Sequence, residues 1–128
     1  MTANGFSVAA LAYLGDCVLE LMVRRHLVTS GIADAGTLNT RALAFVRASA
    51  QSEAVRRIEP LLSDEELSWF KRGRNHSGAV PKSANVRDYR RATGMEVLFA
   101  SLYVEERTER LNKLFEIAYQ LNETGKQK

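Results

Sequence analysis

Apolar residues recur every three or four positions along most of this chain, which is the spacing that places them on one face of a helix. The alternation of apolar and polar residues that is typical of strands extends over no useful length. A first helix is predicted over residues 8–29, where Gly15 is the position at which a break could fall and Gly31 is a suitable stop. The pattern therefore predicts an all-α protein.

Capping residues and prolines set the expected boundaries of the next helices. A second helix is predicted over about residues 37–48, and Ser49 is a candidate cap for a third helix that ends before Pro60. Ser63 and Glu66 have the spacing of a capping box, so they predict the start of a fourth helix that ends near residue 72.

The second half of the chain continues the helical pattern after one interruption. Residues 73–83 contain two glycines and a proline, and they are predicted to form a loop. A long helix over residues 85–105 follows, then a last helix from near Thr108 that ends in a polar tail at residues 123–128. These segments predict a single domain over residues 1–128, with about six to seven helices and short connections.

Length and composition agree with a soluble globular domain. The chain has 128 residues, of which 45% are hydrophobic and 26% are charged. No stretch approaches the roughly 20 apolar residues that span a bilayer. Cys17 is the single cysteine, so an internal disulfide is impossible, and no cysteine or histidine spacing indicates zinc. We expect a cytoplasmic protein with no membrane partner.

Positive charge is concentrated in one part of the chain. The net charge is +3, and 7 of the 18 lysines and arginines lie between Lys71 and Arg91, where Asp88 is the one opposing charge. A basic cluster is the usual electrostatic signature of phosphate binding, but a solvated charged surface has the same composition. Charge alone leaves both interpretations open.

Two carboxylates lie where a helical pattern calls for apolar residues. The first helix is apolar on nearly all sides except for a strip formed by Asp16, Glu20 and Arg24, and Glu96 is surrounded by apolar residues in the long helix. An ionised carboxylate in such a setting is costly unless it is paired or bound to a metal. A buried ion pair with Arg24 or Arg91 is one explanation. Metal-assisted phosphodiester hydrolysis with Mg²⁺ is the other, and two such acids beside a basic stretch favour it.

Several other side chains are expected to serve packing. Cys17 has no nearby histidine that would make it a nucleophile, so a buried packing role is predicted. His26 is on an apolar face and is expected to be a core histidine. Tyr13, Phe99 and Tyr103 are expected to form core or dimer contacts rather than platforms for base stacking.

These motifs carry a family resemblance. The chain resembles the signature of the ribonuclease III family at residues 11–21, LAYLGDCVLEL, where Leu-Gly-Asp is followed by an apolar helix. It resembles the second acidic motif of that family, which supplies a metal-binding glutamate, at residues 93–98, TGMEVL. The Mini-ribonuclease III branch, which lacks the double-stranded-RNA-binding domain, is the closer likeness, because it also shares the KRGRN stretch at residues 71–75 and the Pro-Lys at 81–82.

The chain departs from full-length ribonuclease III at two acidic positions. Ala12 and Thr93 stand where that family has further acids, four residues before Asp16 and three before Glu96. Mini-ribonuclease III is similarly reduced, so the departures agree with that branch and imply that more water completes the metal shell. Glu20, with Arg24 on the same strip, is expected to act behind the metal ligands rather than on the metal.

The resemblance implies a function. It predicts a Mg²⁺-dependent endonuclease for double-stranded RNA, with Asp16 and Glu96 as catalytic metal ligands, that leaves a 5′-phosphate and a 3′-hydroxyl. It also implies a homodimer with one active site per subunit that trims the large (23S) ribosomal RNA precursor in the cytoplasm; any ribosomal protein cofactor stays unidentified. The alternatives are a non-catalytic RNA-binding or ribosome-associated protein with the same fold, and a helical interaction domain with a basic face.

The basic stretch supplies the expected RNA contacts. Duplex RNA is recognised largely by its shape and by phosphate and 2′-hydroxyl contacts. His76 could equally be exposed without a contact, and Arg90 or Arg91 could instead pair with an acidic helix residue. The candidate RNA-binding residues are Lys71, Arg72, Arg74, Asn75, His76, Lys82, Arg90 and Arg91.

Overall fold

The computed structural model describes residues 2–76 and 78–121. Within these ranges the chain forms six α-helices and two short 3-10 turns, at Ala3–Gly5 and Glu59–Leu61, and no strand. The prediction of an all-α fold with about six helices is confirmed. The helices are α1 (Val8–Thr29), α2 (Ala35–Val46), α3 (Ala48–Ile58), α4 (Asp64–Arg74), α5 (Val86–Val104) and α6 (Thr108–Ala118).

Helix α5 is the centre of the fold, since α1, α3, α4 and α6 all pack against it. Its side chains Met95, Leu98 and Phe99 are fully buried. They belong to one hydrophobic core that also takes residues from α1, α3, α4 and α6. Burial of apolar surface in such a core is the main term that stabilises a helical domain of this size.

Two glycine contacts let helices approach α5 closely. Gly15 of α1 lies against the backbone of Glu96, where a Cβ atom would overlap the carbonyl group. Gly94 of α5 lies against Phe70 of α4, where a Cβ atom would come within 2.7 Å of the aromatic ring. The α1–α5 contact places the residue after Gly15 beside the middle of α5.

Several predicted boundaries are confirmed by capping contacts. Ser63 Oγ accepts from the Glu66 N–H at 3.2 Å and the Glu66 carboxylate accepts from the Ser63 N–H at 2.8 Å, which is the predicted capping box. Asn85 caps α5 through its side chain, and Gly31 follows α1 with a positive φ of 101°. Local chemistry thus fixes the ends of three helices.

The Glu66 carboxylate also joins α4 to α6. Arg110 donates to it through Nε and Nη2, both at 2.8 Å. The hydrogen bonds from Arg110 are the main cause that lowers the pKa of Glu66, and they outweigh the effect of its burial. This cap is therefore also a tertiary contact.

Other predicted boundaries are wrong. Helix α1 is not broken at Gly15, because the glycine serves close packing there rather than a turn. Ser49 does not cap α3, which begins at Ala48 directly after a single extended residue, Arg47, with ψ of 151°. The predicted loop over residues 73–83 begins later, because Gly73 is buried inside α4 against Gly94. The predicted tail at residues 123–128 lies outside the described residues.

One side of α1 is open to solvent, which the sequence pattern did not predict. Cys17 is exposed, so its expected packing role in the core is wrong. Tyr13 is 86% exposed and Leu21 is 62% exposed, and Tyr103 on α5 is also exposed. Phe99 is buried in the core as expected.

His26 is half-buried rather than fully enclosed, and its ring centroid lies 5.8 Å from that of Phe45. It lies on the apolar face as expected, but the prediction that it is a core histidine is wrong, because its side chain is only partly enclosed. Among the described residues, no helix combines the length and apolar character that crossing a membrane requires.

Candidate active site

Asp16 and Glu96 meet where α1 crosses α5. Gly15 lets the backbones of α1 and α5 come together. The carboxyl group of Asp16, the next residue in α1, then lies close enough to that of Glu96 in α5 to interact. Burial raises the pKa of Glu96 to about 8, and the negative charge of Asp16 and a side-chain hydrogen bond with Asp16 act in the same direction. Glu96 is partly buried, but Asp16 is exposed, so the expectation that both acids lie in an apolar setting is wrong for Asp16.

The pair lines a cavity of about 520 Å³ whose walls come from five helices, α1 to α5, with Val46 at the end of α2 among the lining residues. Helices α1 and α5 supply the two acids, α3 supplies Gln51, and the end of α4 and the segment after it supply Gly73 and His76. Polar side chains from α5 complete the wall, namely Tyr89, Arg90 and Thr93. The cavity is large enough to admit part of a nucleic-acid backbone.

The two positions that depart from the full-length family lie in the same cavity. Ala12 and Thr93 both line it, and each precedes one of the two acids by about one helical turn. The Thr93 hydroxyl donates to the Tyr89 carbonyl at 3.1 Å, so it is engaged with its own helix. Among residues 2–76 and 78–121, no group of three or more His, Cys, Asp or Glu side chains could hold a metal. Asp16 and Glu96 are the two carboxylates among the described residues that line the cavity.

Glu20 and Arg24 are not brought to the cavity. They form an ion pair with each other at 3.2 Å on the solvent side of α1. Arg91 lies 3.7 Å from Glu59, so it does not pair with Asp16 or Glu20. No ion pair with either cavity acid occurs in the described part of the chain. The buried ion pair that could have explained these acids is therefore absent there.

Five of the eight predicted RNA-binding residues lie on two separate surfaces. His76 and Arg90 line the cavity that holds the acidic pair. Lys71, Arg72 and Asn75 line a separate shallow depression on α4, together with Asp64, Leu67 and Ser68. We call this second surface the α4 surface.

The basic residues outside the cavity differ in their surroundings. The Arg72 guanidinium lies 4.2 Å from the centroid of the Trp69 ring, which orients it. Arg74 lies 5.7 Å from the Phe70 ring centroid, and its Nε donates to Asn75 Oδ1 at 3.3 Å. Lys82 is exposed between α4 and α5.

Gln51 is a cavity residue that the sequence pattern did not reveal. Gln51, Ala54, Val55 and Ile58 are all buried and have the i, i+3, i+4, i+7 spacing of one helix face. A polar residue at the first position of an apolar face is the signal that could have identified it.

Comparison with known proteins agrees with this geometry. Residues 9–107, which include both acids, match the ribonuclease III domain. The chain belongs to the ribonuclease III family. Membership in this family identifies it as an endoribonuclease, and its relatives confirm the resemblance to the Mini-ribonuclease III branch.

The relatives of this ribonuclease III family member cover most of its length. It is 45% identical to Mini-ribonuclease 3 of Desulfitobacterium hafniense over 106 residues, and this match covers 83% of this chain and 68% of the relative. It is 37% identical over 119 residues to that of Clostridium tetani, which covers 91% of this chain and 79% of the relative. A crystal structure of a protein from Fusobacterium nucleatum is similar, with a TM-score of 0.81 at 30% identity, over 91% of this chain and 94% of that chain.

Proposed function

We propose that this endoribonuclease cleaves double-stranded RNA with Mg²⁺ held by Asp16 and Glu96. The observation on which the proposal rests is the Asp16–Glu96 pair, which faces a cavity and has no ion-pair partner among the described residues. A protein that only bound RNA would have no use for two uncompensated carboxyl groups at this position. The pair therefore favours the enzyme over the non-catalytic alternative.

The two acids fit a magnesium ion. The pKa of Glu96 is raised to about 8, so near neutral pH the pair can be fully ionised when a cation offsets its charge. Mg²⁺ prefers carboxylate oxygens, keeps several waters and commonly binds through one or two carboxylates. When bound, the ion supplies a Lewis acid for the phosphoryl group and lowers the pKa of a coordinated water.

The other cavity residues have roles that follow from their charge. Arg90 keeps a permanent positive charge in the cavity wall, where it can pair with a phosphodiester oxygen. His76 supplies a second nitrogen donor in the same wall. Arg90 offsets part of the repulsion between the acidic pair and the RNA backbone, and His76 can add a hydrogen bond.

The α4 surface is suited to the flank of a duplex. Lys71 and Arg72 place two positive charges there, and Asn75 adds an amide that can reach phosphate or a 2′-hydroxyl group. We include Arg74 and Lys82 as further backbone contacts. Arg91 would have to leave Glu59 before it could contact RNA.

A homodimer is part of the proposal. The exposed apolar side of α1, with Tyr13, Cys17 and Leu21, is unusual for a surface helix and suits a second copy of the chain. A groove of about 440 Å³ that includes Leu21 and Tyr103 continues this apolar surface. Two strands require two cuts, and a two-fold dimer matches that symmetry.

The substrate in the cell follows from the branch. By likeness to Mini-ribonuclease III we propose that the enzyme matures the precursor of the large (23S) ribosomal RNA in the cytoplasm. The products would carry a 5′-phosphate and a 3′-hydroxyl.

A cleavage assay tests the proposal. End-labelled duplex RNA and its two separate strands are incubated with the protein in Mg²⁺ or in EDTA, and the products are sized. We expect cleavage of the duplex in Mg²⁺ alone, and no cleavage by Asp16→Asn or Glu96→Gln at unchanged duplex affinity. Glu20→Gln, on the same helix but outside the cavity, is the matched control and should stay active. Full activity of Asp16→Asn would refute the metal site.

A further inference from the structure

The amino-terminal end of α3 opens into the catalytic cavity. Val46, before the helix, and Ala48, its first residue, both line the cavity wall. The helix has 11 residues, and its cap position, Arg47, contributes no side-chain hydrogen bond to it. The positive end of an uncapped helix is therefore exposed to whatever occupies the cavity.

Three backbone donors at this end are available. The N–H of Gln51 is bonded to the Arg47 carbonyl at 3.0 Å, as expected for the first full helical turn. The N–H groups of Ala48, Ser49 and Ala50 have no acceptor among residues 2–76 and 78–121. Such N–H groups are the usual ligands for anions at helix ends.

Gln51 is an independent sign of a ligand at the same place. Gln51 is only 3% exposed, and it lines the cavity from the first turn of α3. In the described part of the chain, nothing forms a hydrogen bond with its side-chain amide, while the three buried residues that share its helix face pack in the core. No fully buried side-chain nitrogen or oxygen atom in residues 2–76 and 78–121 lacks a hydrogen-bond partner, so the unbonded amide of Gln51 is open to the cavity, where it can bind a group that enters.

The available chemistry selects the ligand. The amide nitrogen and the three backbone N–H groups are neutral donors, and Arg90 adds a positive charge in the same cavity. Of these residues, Ala48, Gln51 and Arg90 line the cavity, and neutral and positive donors in one cavity wall suit a phosphodiester oxygen. They would not suit a second cation, because Asp16 and Glu96 are the only carboxylates among the described residues that line this cavity.

We propose that Gln51 and the amino-terminal end of α3 form a phosphodiester-binding site inside the cavity, which positions one RNA strand against the Asp16–Glu96 pair. This inference rests on the proposed cleavage of duplex RNA. Because the donors are mainly uncharged, the site contributes to orientation of the strand more than to the salt-dependent attraction of the duplex.

Nuclear magnetic resonance of the unaltered protein tests the site without cleavage. The amide resonances of Ala48, Ser49, Ala50 and Gln51 are followed as inorganic phosphate is added in EDTA. We expect saturable shifts of these four resonances, and we expect them to be lost in Gln51→Glu, which brings a negative charge to the site. Unchanged resonances at residues 48–51 in the unaltered protein would overturn the proposal.

Kinetics of variants provide the second test. Gln51→Met keeps the length of the side chain and removes its hydrogen bonds, so we expect a single-turnover rate at least about tenfold lower, since misplaced substrates react far more slowly. Duplex affinity and its salt dependence should change less than about threefold, because the charged contacts remain. Ser52→Ala is the matched control, because Ser52 is similarly buried, at 6% exposure, but does not line the cavity.

The outcomes separate this inference from the proposed function. A protein that cuts duplex RNA while Gln51→Met and Ser52→Ala both react at the unaltered rate would refute the α3 site alone. A protein that fails to cut duplex RNA would refute the proposed function, and the phosphate titration would still decide whether α3 binds the anion. If the single-turnover rate of Gln51→Met falls only in proportion to the fraction of protein that is unfolded, Gln51 has a structural role and the proposal is overturned.

Discussion

Gly15 packs directly on the backbone of Glu96, and this single contact sets the Asp16 carboxyl beside the Glu96 carboxyl. The glycine is needed because any Cβ atom at that position would overlap the carbonyl group of Glu96. The Leu-Gly-Asp sequence is therefore a structural unit: the glycine permits α1 to approach α5 closely, and the aspartate is thereby placed beside Glu96.

We expect Gly15→Ala to separate α1 from α5. The added methyl group should lower the free energy of unfolding by about 1–3 kcal/mol, which is the usual cost of overpacking a filled site. It should also abolish most cleavage, because the two acids move apart. Urea unfolding and the cleavage assay measure the two effects.

Gly36→Ala is the control for that substitution. Gly36 lies in α2, and its Cβ atom would meet only the Asp34 side chain, at 3.6 Å. Alanine there should be neutral or stabilise the helix by up to about 1 kcal/mol. If Gly15→Ala behaves like Gly36→Ala, the close helix contact is not what positions the acids.

The raised pKa of Glu96 predicts a pH-dependent stability without metal. In the unfolded chain this carboxyl has its ordinary pKa of 4.5, whereas in the folded protein its pKa is raised to about 8, so between these values the folded state binds more protons than the unfolded state. The contribution of this group to stability should therefore be greatest below pH 4.5, and should fall as pH rises towards 8. In Glu96→Gln, this fall in the free energy of unfolding, on the order of a few kcal/mol, should be absent. Urea unfolding of both proteins in EDTA across this pH range measures the difference.

Added Mg²⁺ should restore the stability that the folded protein loses as pH rises towards 8. Near the raised pKa of Glu96, a cation that binds the ionised pair stabilises the folded state by mass action, by about 1.4 kcal/mol at roughly ten times its Kd. The melting temperature should rise with Mg²⁺ for the unaltered protein and for Glu20→Gln, but not for Glu96→Gln. An equal rise in all three proteins would place the ion elsewhere.

The α4 surface should determine part of the salt dependence of duplex binding. Replacing Lys71 and Arg72 together with glutamine should weaken binding to any duplex sequence and reduce the slope of log K against log salt by about two. Binding isotherms at several salt concentrations, with EDTA present to prevent cleavage, measure that slope. Lys113→Gln, on α6, which contributes to neither RNA surface, should leave it unchanged. A slope that stays constant in the double variant would exclude the α4 surface from the interface.

The exposed side of α1 should mediate self-association. Leu21→Glu should give a folded monomer where the unaltered protein sediments as a dimer, because a buried unpaired charge opposes association. Leu43→Glu is the control, since Leu43 is similarly exposed, at 54%, but lies on α2. Analytical ultracentrifugation and circular dichroism distinguish a folded monomer from a misfolded chain, and a dimer of Leu21→Glu would place the contact elsewhere.

The helices were largely predictable because their ends are coded locally. Ser63 with Glu66 and Asn85 at the start of α5 satisfy free N–H groups within their own first turns. The carboxyl end of α4 was predicted too early, because Gly73 is a stop signal in sequence but packs against Gly94 in the fold. That contact joins residues far apart in the chain, and no local pattern encodes it.

The site was predictable in its acids and less so in its surroundings. Asp16 and Glu96 stood out because an apolar pattern makes acids conspicuous, and the family motifs gave them a role. Cys17 was misassigned because an apolar side of a helix looks the same whether it faces its own core or is left open. Gln51 was harder to identify, because a single amide at the start of an apolar face is a weak signal until the cavity beside it is known.

The two sides of α1 have a joint consequence for the products of the reaction. Asp16 faces the cavity, and Leu21 lies little more than one turn further along the same unbroken helix, on an open side. In the proposed dimer this helix would set the distance between the twofold axis and each cleavage site. The stagger between the two nicks, and hence the length of the single-stranded overhang, would then be a property of α1 rather than of any RNA sequence.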